Sequence, residues 1–226
     1  MDDKARHEAR AANMAALELE TGLSRPIWPD VLPYIAETAR MEWLRGVGEP
    51  GGHLANPSAI DGYIRGAGGL NWSWVKPYVR DEQFAWCGAF AAYCAGVAGL
   101  KHAIRYKQLA STLRIYNHLR GPRGLFVYEV KPGDILVVTT TGAQKQGVHI
   151  CVAVSEPDHA GLITTIEGNA RGLLGDGTVG NGVIRRTRPI AKLSSSARCP
   201  ISGLKQAHWV AYAIRFAPED FEEVEP

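Results

Sequence analysis

Cys87 is the residue of this chain best suited to covalent chemistry. It stands at the entrance of an apolar segment in which Phe90, Cys94 and Val97 follow at offsets that share one helical face. A thiol at a helix N-terminus lies at the positive end of the helix dipole, near unpaired backbone N–H groups. Both features favour the thiolate, the form that attacks carbonyl groups. Cys87 is therefore a candidate nucleophile, and a buried cysteine in an apolar helix is the alternative.

A cysteine nucleophile needs a base, and His149 is the candidate. It opens a predicted strand, residues 148–155, and the next predicted strand ends near Glu167 and Asn169. In an antiparallel hairpin the start of one strand lies beside the end of the next, so we expect these side chains to meet at one sheet edge. Either Glu167 or Asn169 can accept the second imidazole N–H and fix the tautomer. Taken singly, a histidine at a strand edge and a Glu-Gly-Asn turn are also ordinary structural features.

The elements that must position these residues change in type along the chain. Helical patterns cover residues 4–20, 33–45, 58–66, 72–79, 87–98 and 107–119. Strand patterns cover residues 134–138, 148–155, 162–167, 182–188 and 209–216. Helices followed by strands with short turns predict an α+β fold with an antiparallel sheet of about five strands.

A glycine-rich stretch and an arginine-rich stretch near the predicted strands each lead to a structural expectation. The glycine-rich residues 171–182 are expected to form a mobile hairpin loop. They match no phosphate-binding fingerprint, because they precede a strand and lack the Gly-Lys-Ser/Thr end. The run Arg185-Arg186-Thr187-Arg188 is expected to be the solvent side of a strand.

Four motifs in register resemble those of the CHAP-type cysteine amidases and peptidases, papain-like enzymes that cut bacterial peptidoglycan. The similarity spans residues 33–216, and the motifs are Trp86-Cys87-Gly88-Ala89-Phe90, Lys131-Pro132-Gly133-Asp134-Ile135, Gly147-Val148-His149 and Ile166-Glu167-Gly168-Asn169. The resemblance implies a papain-like fold, with Cys87 as nucleophile and His149 as base. It also implies that Glu167 and Asn169 orient the imidazole. Asp134 is then expected to be a turn or cap residue and not a catalytic one.

Several residues near Cys87 are candidates for supporting roles. Gln83 is a candidate second oxyanion donor beside the backbone N–H of Cys87, with a solvated loop residue as the alternative. Trp74 and Trp86 are candidates to line the substrate cleft, with packing in the core as the alternative. Residues 80–82 are too short to resemble the acidic calcium loop of some family members. We therefore expect no metal, and no motif indicates a cofactor.

Composition bounds the possible partners. The chain has 226 residues, of which 46% are hydrophobic and 21% charged, which is typical of a globular protein. A net charge of +2 without a long basic run argues against a nucleic-acid partner. No apolar stretch is long enough for membrane insertion. The four cysteines are scattered, lack zinc-ligand spacing and are expected to be reduced thiols.

We expect three regions along the chain. Residues 1–32 form an N-terminal helical arm and linker, residues 33–217 form the CHAP-like catalytic domain, and residues 218–226 form a solvated acidic tail. The first residues are charged and are not followed by an apolar run of signal-peptide length. The expectation is synthesis in the cytoplasm and delivery to the cell wall or periplasm by another system.

The leading functional hypothesis is a peptidoglycan hydrolase, either a muramoyl-L-alanine amidase or a stem-peptide endopeptidase. It would serve as a phage lysin or as a delivered antibacterial effector, and an effector would have an immunity protein as partner. Two alternatives remain open. The same fold can carry an intracellular cysteine amidase, deamidase or acyltransferase, or it can be a non-catalytic module that binds wall peptides.

Overall fold

A computed structural model of the protein describes residues 31–49, 62–64, 85–101, 104, 109, 111–140, 147–191 and 208–221. Its helices are α1 Val31–Leu44, α2 Cys87–Val97, α3 Thr112–His118 and α4 Arg120–Arg123, with 3₁₀ turns at Val127–Glu129 and Pro218–Asp220. Its strands are β1 Gly48–Glu49, β2 Gly124–Leu125, β3 Ile135–Thr140, β4 His149–Ala153, β5 Leu162–Leu173, β6 Val179–Pro189 and β7 His208–Ile214. The predicted α+β class is confirmed.

Helix α2 is the central helix of the described part of the chain. Ten of its eleven residues are buried, because its sequence is apolar on every side. It lies between α1 and the strands β4 and β5. The helix ends where Gly99 adopts a φ of 103°, and the N–H of Leu100 returns to the carbonyl of Ala95 at 2.9 Å. The first residue of this buried helix is Cys87, so its position relative to the sheet is fixed by packing.

The sheet is antiparallel, with strand order β1-β6-β5-β4-β3-β7-β2. One face packs against the helices through residues such as Ile150, Val152 and Ile166. The opposite face carries a second apolar cluster that includes Leu136, Cys151 and Ile163. Because both faces are covered, the strands read as nearly continuous apolar runs instead of alternating ones.

A tight turn leads into β3 and holds Asp134. This carboxylate is fully buried and accepts the N–H of Lys131 at 2.8 Å. Arg215 donates to it through Nε at 2.9 Å and Nη2 at 2.7 Å. Burial raises the pKa of Asp134, and the hydrogen bonds from Arg215 and Lys131 oppose that effect. Asp134 is therefore a turn residue, as expected.

The five predicted strands are present, and the structure adds two short ones. β1 and β2 have two residues each and pair with β6 and β7 at the two edges of the sheet. Residues 171–182 form a hairpin, as expected, but its loop is shorter than expected, because β5 continues to Leu173 and β6 begins at Val179. The cause is the long β5–β6 ladder, in which Gly172 pairs with Gly180.

The end of the described chain also differs from expectation. Residues 218–221 were expected to belong to a solvated tail, but Asp220 and Phe221 are buried. The Asp220 carboxylate accepts a 2.7 Å hydrogen bond from Nε of Arg123, and Phe221 forms a β-bridge with Leu100. These contacts of Phe221 and Asp220 hold the segment against the rest of the fold. The predicted N-terminal arm, up to residue 30, and residues 222–226 lie outside the described residues.

The helix predicted over residues 107–119 ends close to the expected position but is shorter than expected. Helix α3 begins at Thr112, where the side chain of Ser111 accepts the N–H of Arg114, but Arg120–Arg123 adds a further helical turn after His118. Proline is tolerated in a first helical turn because its missing N–H has no partner there. Across the described ranges, no helix is long and apolar enough to cross a membrane.

Candidate active site

Cys87 lies where strands β4 and β5 separate. Among the described residues these strands pair only at Val152–Ile166 and Ala153–Thr165, near the end of β4. The first residues of β4 have no described partner in β5. Backbone N–H groups of Ile150 and of Gly88 in its own helix are near enough to lower the pKa of the Cys87 thiol. Only 7% of the Cys87 surface is exposed. The thiol therefore lies beside the part of β4 that has no described pairing with β5, close to backbone donors.

His149 is the group that changes the chemistry of this thiol. Burial alone raises the pKa of Cys87, but the charge of His149 and a hydrogen bond between the two side chains outweigh burial and lower it. Burial lowers the pKa of His149, whereas the partners Cys87 and Glu167 together raise it to about 9. Both shifts favour a thiolate beside an imidazolium over the neutral pair, and the thiolate is the reactive form of a cysteine nucleophile.

The backbone before His149 requires a glycine. Gly147 has a φ of 75°, and a Cβ at this position would lie 2.2 Å from Cγ1 of Val137. Two residues later His149 pairs with Val138 of β3, and 14% of its side chain is exposed. The glycine of the Gly-Val-His motif thus allows the chain to pass close to β3 and place the imidazole at the start of β4.

Glu167 is the residue that faces the other side of the imidazole. Its Oε2 lies 3.2 Å from Nε2 of His149, a contact that is an ion pair and not a well-aligned hydrogen bond. Nε2 is therefore turned toward the carboxylate, which leaves Nδ1 for exchange of a proton with Cys87. The Glu167 side chain is fully buried. The expectation that Glu167 lies beside His149 agrees with this geometry.

Glu167 has further partners that the sequence did not indicate. Arg188 donates through Nε to Oε1 at 2.7 Å and through Nη2 to Oε2 at 2.6 Å, and the Thr165 hydroxyl donates to Oε1 at 2.7 Å. Nη1 of Arg186 lies 3.7 Å from Oε2. Burial raises the pKa of Glu167, but the charge of Arg188 and the contact with His149 hold it well below its ordinary value. The carboxylate is ionised at neutral pH.

The arginine run in β6 was therefore assigned to the wrong environment. Arg185 is exposed, as expected, but Arg186 and Arg188 lie on the face that carries Glu167. Strand alternation places these two arginines on one face, and a buried carboxylate requires a cation there. The signal was present in the sequence as an Arg-x-Arg pattern, but only the strand register shows which acid it meets.

Asn169 does not take the position expected for it. It has a φ of 55° and lies in an irregularity of β5 between Glu167 and Ala170. Within the described part of the chain, no hydrogen bond joins its side chain to His149. The irregularity breaks the strand alternation that was expected to point Glu167 and Asn169 in the same direction. The structure thus assigns the contact with the imidazole to Glu167 alone.

Gly168 allows β5 to approach the start of α2. A Cβ at this position would lie 2.6 Å from Cβ of Phe90 and 2.6 Å from Cζ3 of Trp86. No larger residue fits between the strand and the helix without a shift of one of them. The glycine between Glu167 and Asn169 is thus what brings the strand with the carboxylate against the helix with the thiol.

Trp86 is part of the core and not a cleft wall, which corrects the expectation for this residue. It is 1% exposed and stacks on Tyr63, with ring centroids 5.8 Å apart. Tyr63 in turn donates a 2.6 Å hydrogen bond to the buried carboxylate of Glu42. The tryptophan precedes a fully apolar helix and is drawn inward with it. Gln83 and Trp74 lie outside the described residues.

His208 is a neighbour of the site that sequence analysis missed. It begins β7, where it pairs with Thr140, and its side chain is close enough to sense the charges of the site. Burial lowers its pKa first, and the charges of Arg188 and Arg186 lower it further. β7 contacts β6 although three strands lie between them in the strand order, so no local pattern could have identified this histidine.

No group of three or more His, Cys, Asp or Glu side chains in the described ranges is arranged to hold a metal ion. What the described residues do form is a thiol, an imidazole and a carboxylate in sequence, with backbone N–H groups at the sulfur. Such a set can carry out nucleophilic attack on a carbonyl carbon and transfer a proton to a leaving group.

Comparison of the chain with protein-family models, with curated proteins and with solved structures gives no match.

Proposed function

We propose that the protein is a cysteine hydrolase that cleaves an amide bond in bacterial peptidoglycan, as a muramoyl-L-alanine amidase or a stem-peptide endopeptidase. The observation that carries the proposal is the contact series from Cys87 through His149 to Glu167. The substrate class and a papain-like, CHAP-type fold are supported by the resemblance of four motifs, three of which contain these residues.

In the proposed mechanism the Cys87 thiolate attacks the amide carbonyl and forms a tetrahedral intermediate. The N–H groups in the first turn of α2 lack partners within the helix and are suited to stabilise the oxyanion. His149, protonated at rest, gives its proton to the leaving amine, and the C–N bond breaks to leave an acyl-enzyme. His149 then accepts a proton from water, which attacks the thioester and releases the acid and the thiolate.

The roles of the two carboxylates near the motifs differ in this mechanism. Glu167 stabilises the imidazolium and keeps its ring in one orientation, whereas Asp134 holds the turn before β3 together with Arg215. A carboxylate beside the imidazole favours the charged acid that the leaving amine requires.

The test is digestion of purified sacculi, with mass spectrometry of the released muropeptides. The wild-type protein is expected to release soluble fragments whose new termini identify the scissile bond, and Cys87→Ala and His149→Ala are expected to release none. Cys94→Ala is the matched control, because Cys94 belongs to the same helix but is fully buried. Intact sacculi after treatment with folded wild-type protein would contradict the proposal.

A further inference from the structure

Burying the Glu167 carboxylate requires partners that remain charged. A buried ionised carboxylate is stable only when cations and hydrogen-bond donors replace its lost hydration. His149 is an incomplete partner, since it approaches only Oε2, at 3.2 Å, and loses its charge when it donates its proton. The carboxylate therefore needs a second, permanent cation.

Arg188 supplies that cation with a geometry that fixes the plane of the carboxylate. Its Nε and Nη2 donate to the two separate oxygens at 2.7 and 2.6 Å, which is the fork arrangement of a bidentate pair. Thr165 donates to Oε1 as well, at 2.7 Å. With both oxygens engaged, Oε2 has one position, and that position is the one in contact with Nε2 of His149.

The strand register explains why only a long, forked side chain can make this contact. Arg188 pairs with Ile163 of β5, whereas Glu167 pairs with Ile184 of β6. The guanidinium therefore reaches along the sheet past Thr165 to meet the carboxylate. Arg186 pairs with Thr165 and starts closer, yet its nearest nitrogen stays 3.7 Å from Oε2.

We infer that Arg188 is a positioning residue, which holds Glu167 in the one orientation that keeps the His149 imidazolium directed at Cys87. The inference rests on the proposed thiol mechanism and adds to it a residue of β6 that acts on the imidazole through Glu167. Other titratable or charged groups around Glu167 and His149 come from every neighbouring element and are Cys87 of α2, Cys151 of β4, Arg186 of β6 and His208 of β7.

The test follows the rate at which iodoacetamide alkylates Cys87 as a function of pH, measured on the full chain by mass spectrometry of the peptide that contains Cys87. Arg188→Gln removes the charge and the fork, and Arg188→Lys keeps the charge but not the fork. Thr165→Val removes one hydrogen bond to the carboxylate without changing any charge. Arg185→Gln is the matched control, because Arg185 is exposed and lies over the Trp43 ring.

If Arg188 positions Glu167, the carboxylate loses its fixed orientation in both Arg188 variants and stabilises the imidazolium less. The thiolate of Cys87 is then stabilised less as well, and the midpoint of the alkylation profile moves to higher pH. A move of about one pH unit makes alkylation about tenfold slower below the midpoint. Thr165→Val is expected to give a smaller move in the same direction, and Arg185→Gln none. A profile of folded Arg188→Lys that superposes on the wild type would overturn the positioning role, since charge alone would then suffice.

The design remains decisive if Arg188→Gln does not fold, because Arg188→Lys and Thr165→Val then carry the comparison. It also separates this inference from the proposed function. A wild-type Cys87 with the profile of an ordinary thiol contradicts the thiol mechanism itself. Shifted profiles together with intact sacculi support the role of Arg188 and contradict only the substrate class.

Discussion

Nε2 of His149 lies 3.2 Å from Oε2 of Glu167, so a buried carboxylate faces the second ring nitrogen of the candidate base. A carboxylate stabilises imidazolium more than a neutral amide does, because it adds a full charge to the interaction. With Cys87 on the other side, the imidazole lies between two anions, and its pKa rises to about 9. The raised pKa of His149 and the lowered pKa of Cys87 both favour the ion pair of thiolate and imidazolium over the neutral pair.

The first prediction concerns which residue orients His149. Glu167→Gln removes the charge beside the imidazole and is expected to lower kcat/KM by at least about tenfold, since it weakens a general acid. Asn169→Gly keeps the backbone at positive φ and removes only an amide that makes no described contact with His149. It is expected to lower kcat/KM less. The measurement is the rate of fragment release from sacculi, and a larger loss with Asn169→Gly would assign the orienting role to the amide.

A second prediction concerns the alkaline limit of activity. Because imidazolium must protonate the leaving amine, kcat/KM is expected to fall as pH rises through about 9, the pKa of His149. The acid limit is expected below the pKa of about 8.5 of a free thiol, since the pKa of Cys87 is lowered. A pH–rate profile measured on soluble muropeptides checks both limits, and activity that still increases above pH about 10 would contradict the role of His149.

The same shift predicts the sign of a stability change with pH. A histidine whose pKa is higher in the folded chain stabilises the fold fully below its unfolded pKa of about 6.5. This contribution is lost as pH rises through about 9. Because the lowered pKa of Cys87 has the opposite effect over the same range, the decline is expected in Cys87→Ala, where Glu167 still raises the pKa of His149. Urea unfolding of Cys87→Ala is expected to show this decline in the free energy of unfolding, and Cys87→Ala with His149→Gln is expected to show a smaller one. Equal declines in the two proteins would place their cause at other groups.

A further prediction concerns the close approach of β5 to α2. Gly168→Ala places a Cβ 2.6 Å from carbon atoms of Phe90 and Trp86, so strand and helix must move apart. We expect a loss of about 1–3 kcal/mol in the free energy of unfolding. Activity of the folded fraction is also expected to fall, because the carboxylate and the thiol belong to these two elements.

The control for this variant is Gly121→Ala in α4, where an added Cβ meets no atom within 4 Å. Alanine has a higher helix propensity than glycine, so this variant is expected to be as stable as the wild type or slightly more stable. Chemical denaturation followed by tryptophan fluorescence measures both. A stable and fully active Gly168→Ala would show that the contact between β5 and α2 is not needed.

The proximity of Cys87, His149 and Glu167 could be predicted from the sequence because it depends on local rules. An apolar helix after the cysteine and two consecutive antiparallel strands bring the three residues together without knowledge of the rest of the sheet. The role of Asn169 could not be obtained in this way. Strand alternation would direct it like Glu167, but the irregularity in β5 changes its direction.

Features that depend on long-range register were not accessible from the sequence. The glycines of residues 171–182 indicated a loop, yet a Cβ at Gly172 or Gly180 would lie 2.5 or 2.8 Å from Ile184 and Leu174. These glycines therefore serve close packing within a long hairpin, and the ladder overrides their local preference. Arg188 meets Glu167 only because of the same register.

The last prediction tests the structural role assigned to Asp134. Arg215→Met removes the cation from a fully buried carboxylate and leaves it only the N–H of Lys131. Removing one partner of a buried ion pair leaves an uncompensated charge, so we expect the free energy of unfolding to fall by about 3 kcal/mol. Asp134→Asn keeps an acceptor in the turn and is expected to be less harmful. In both variants the pH profile of Cys87 alkylation is expected to match that of the wild type. Asp134 precedes the start of β3, whereas His149 pairs with Val138 farther along that strand, so the two sites are separate. Loss of Cys87 reactivity in a stable Asp134→Asn protein would instead make Asp134 part of the site.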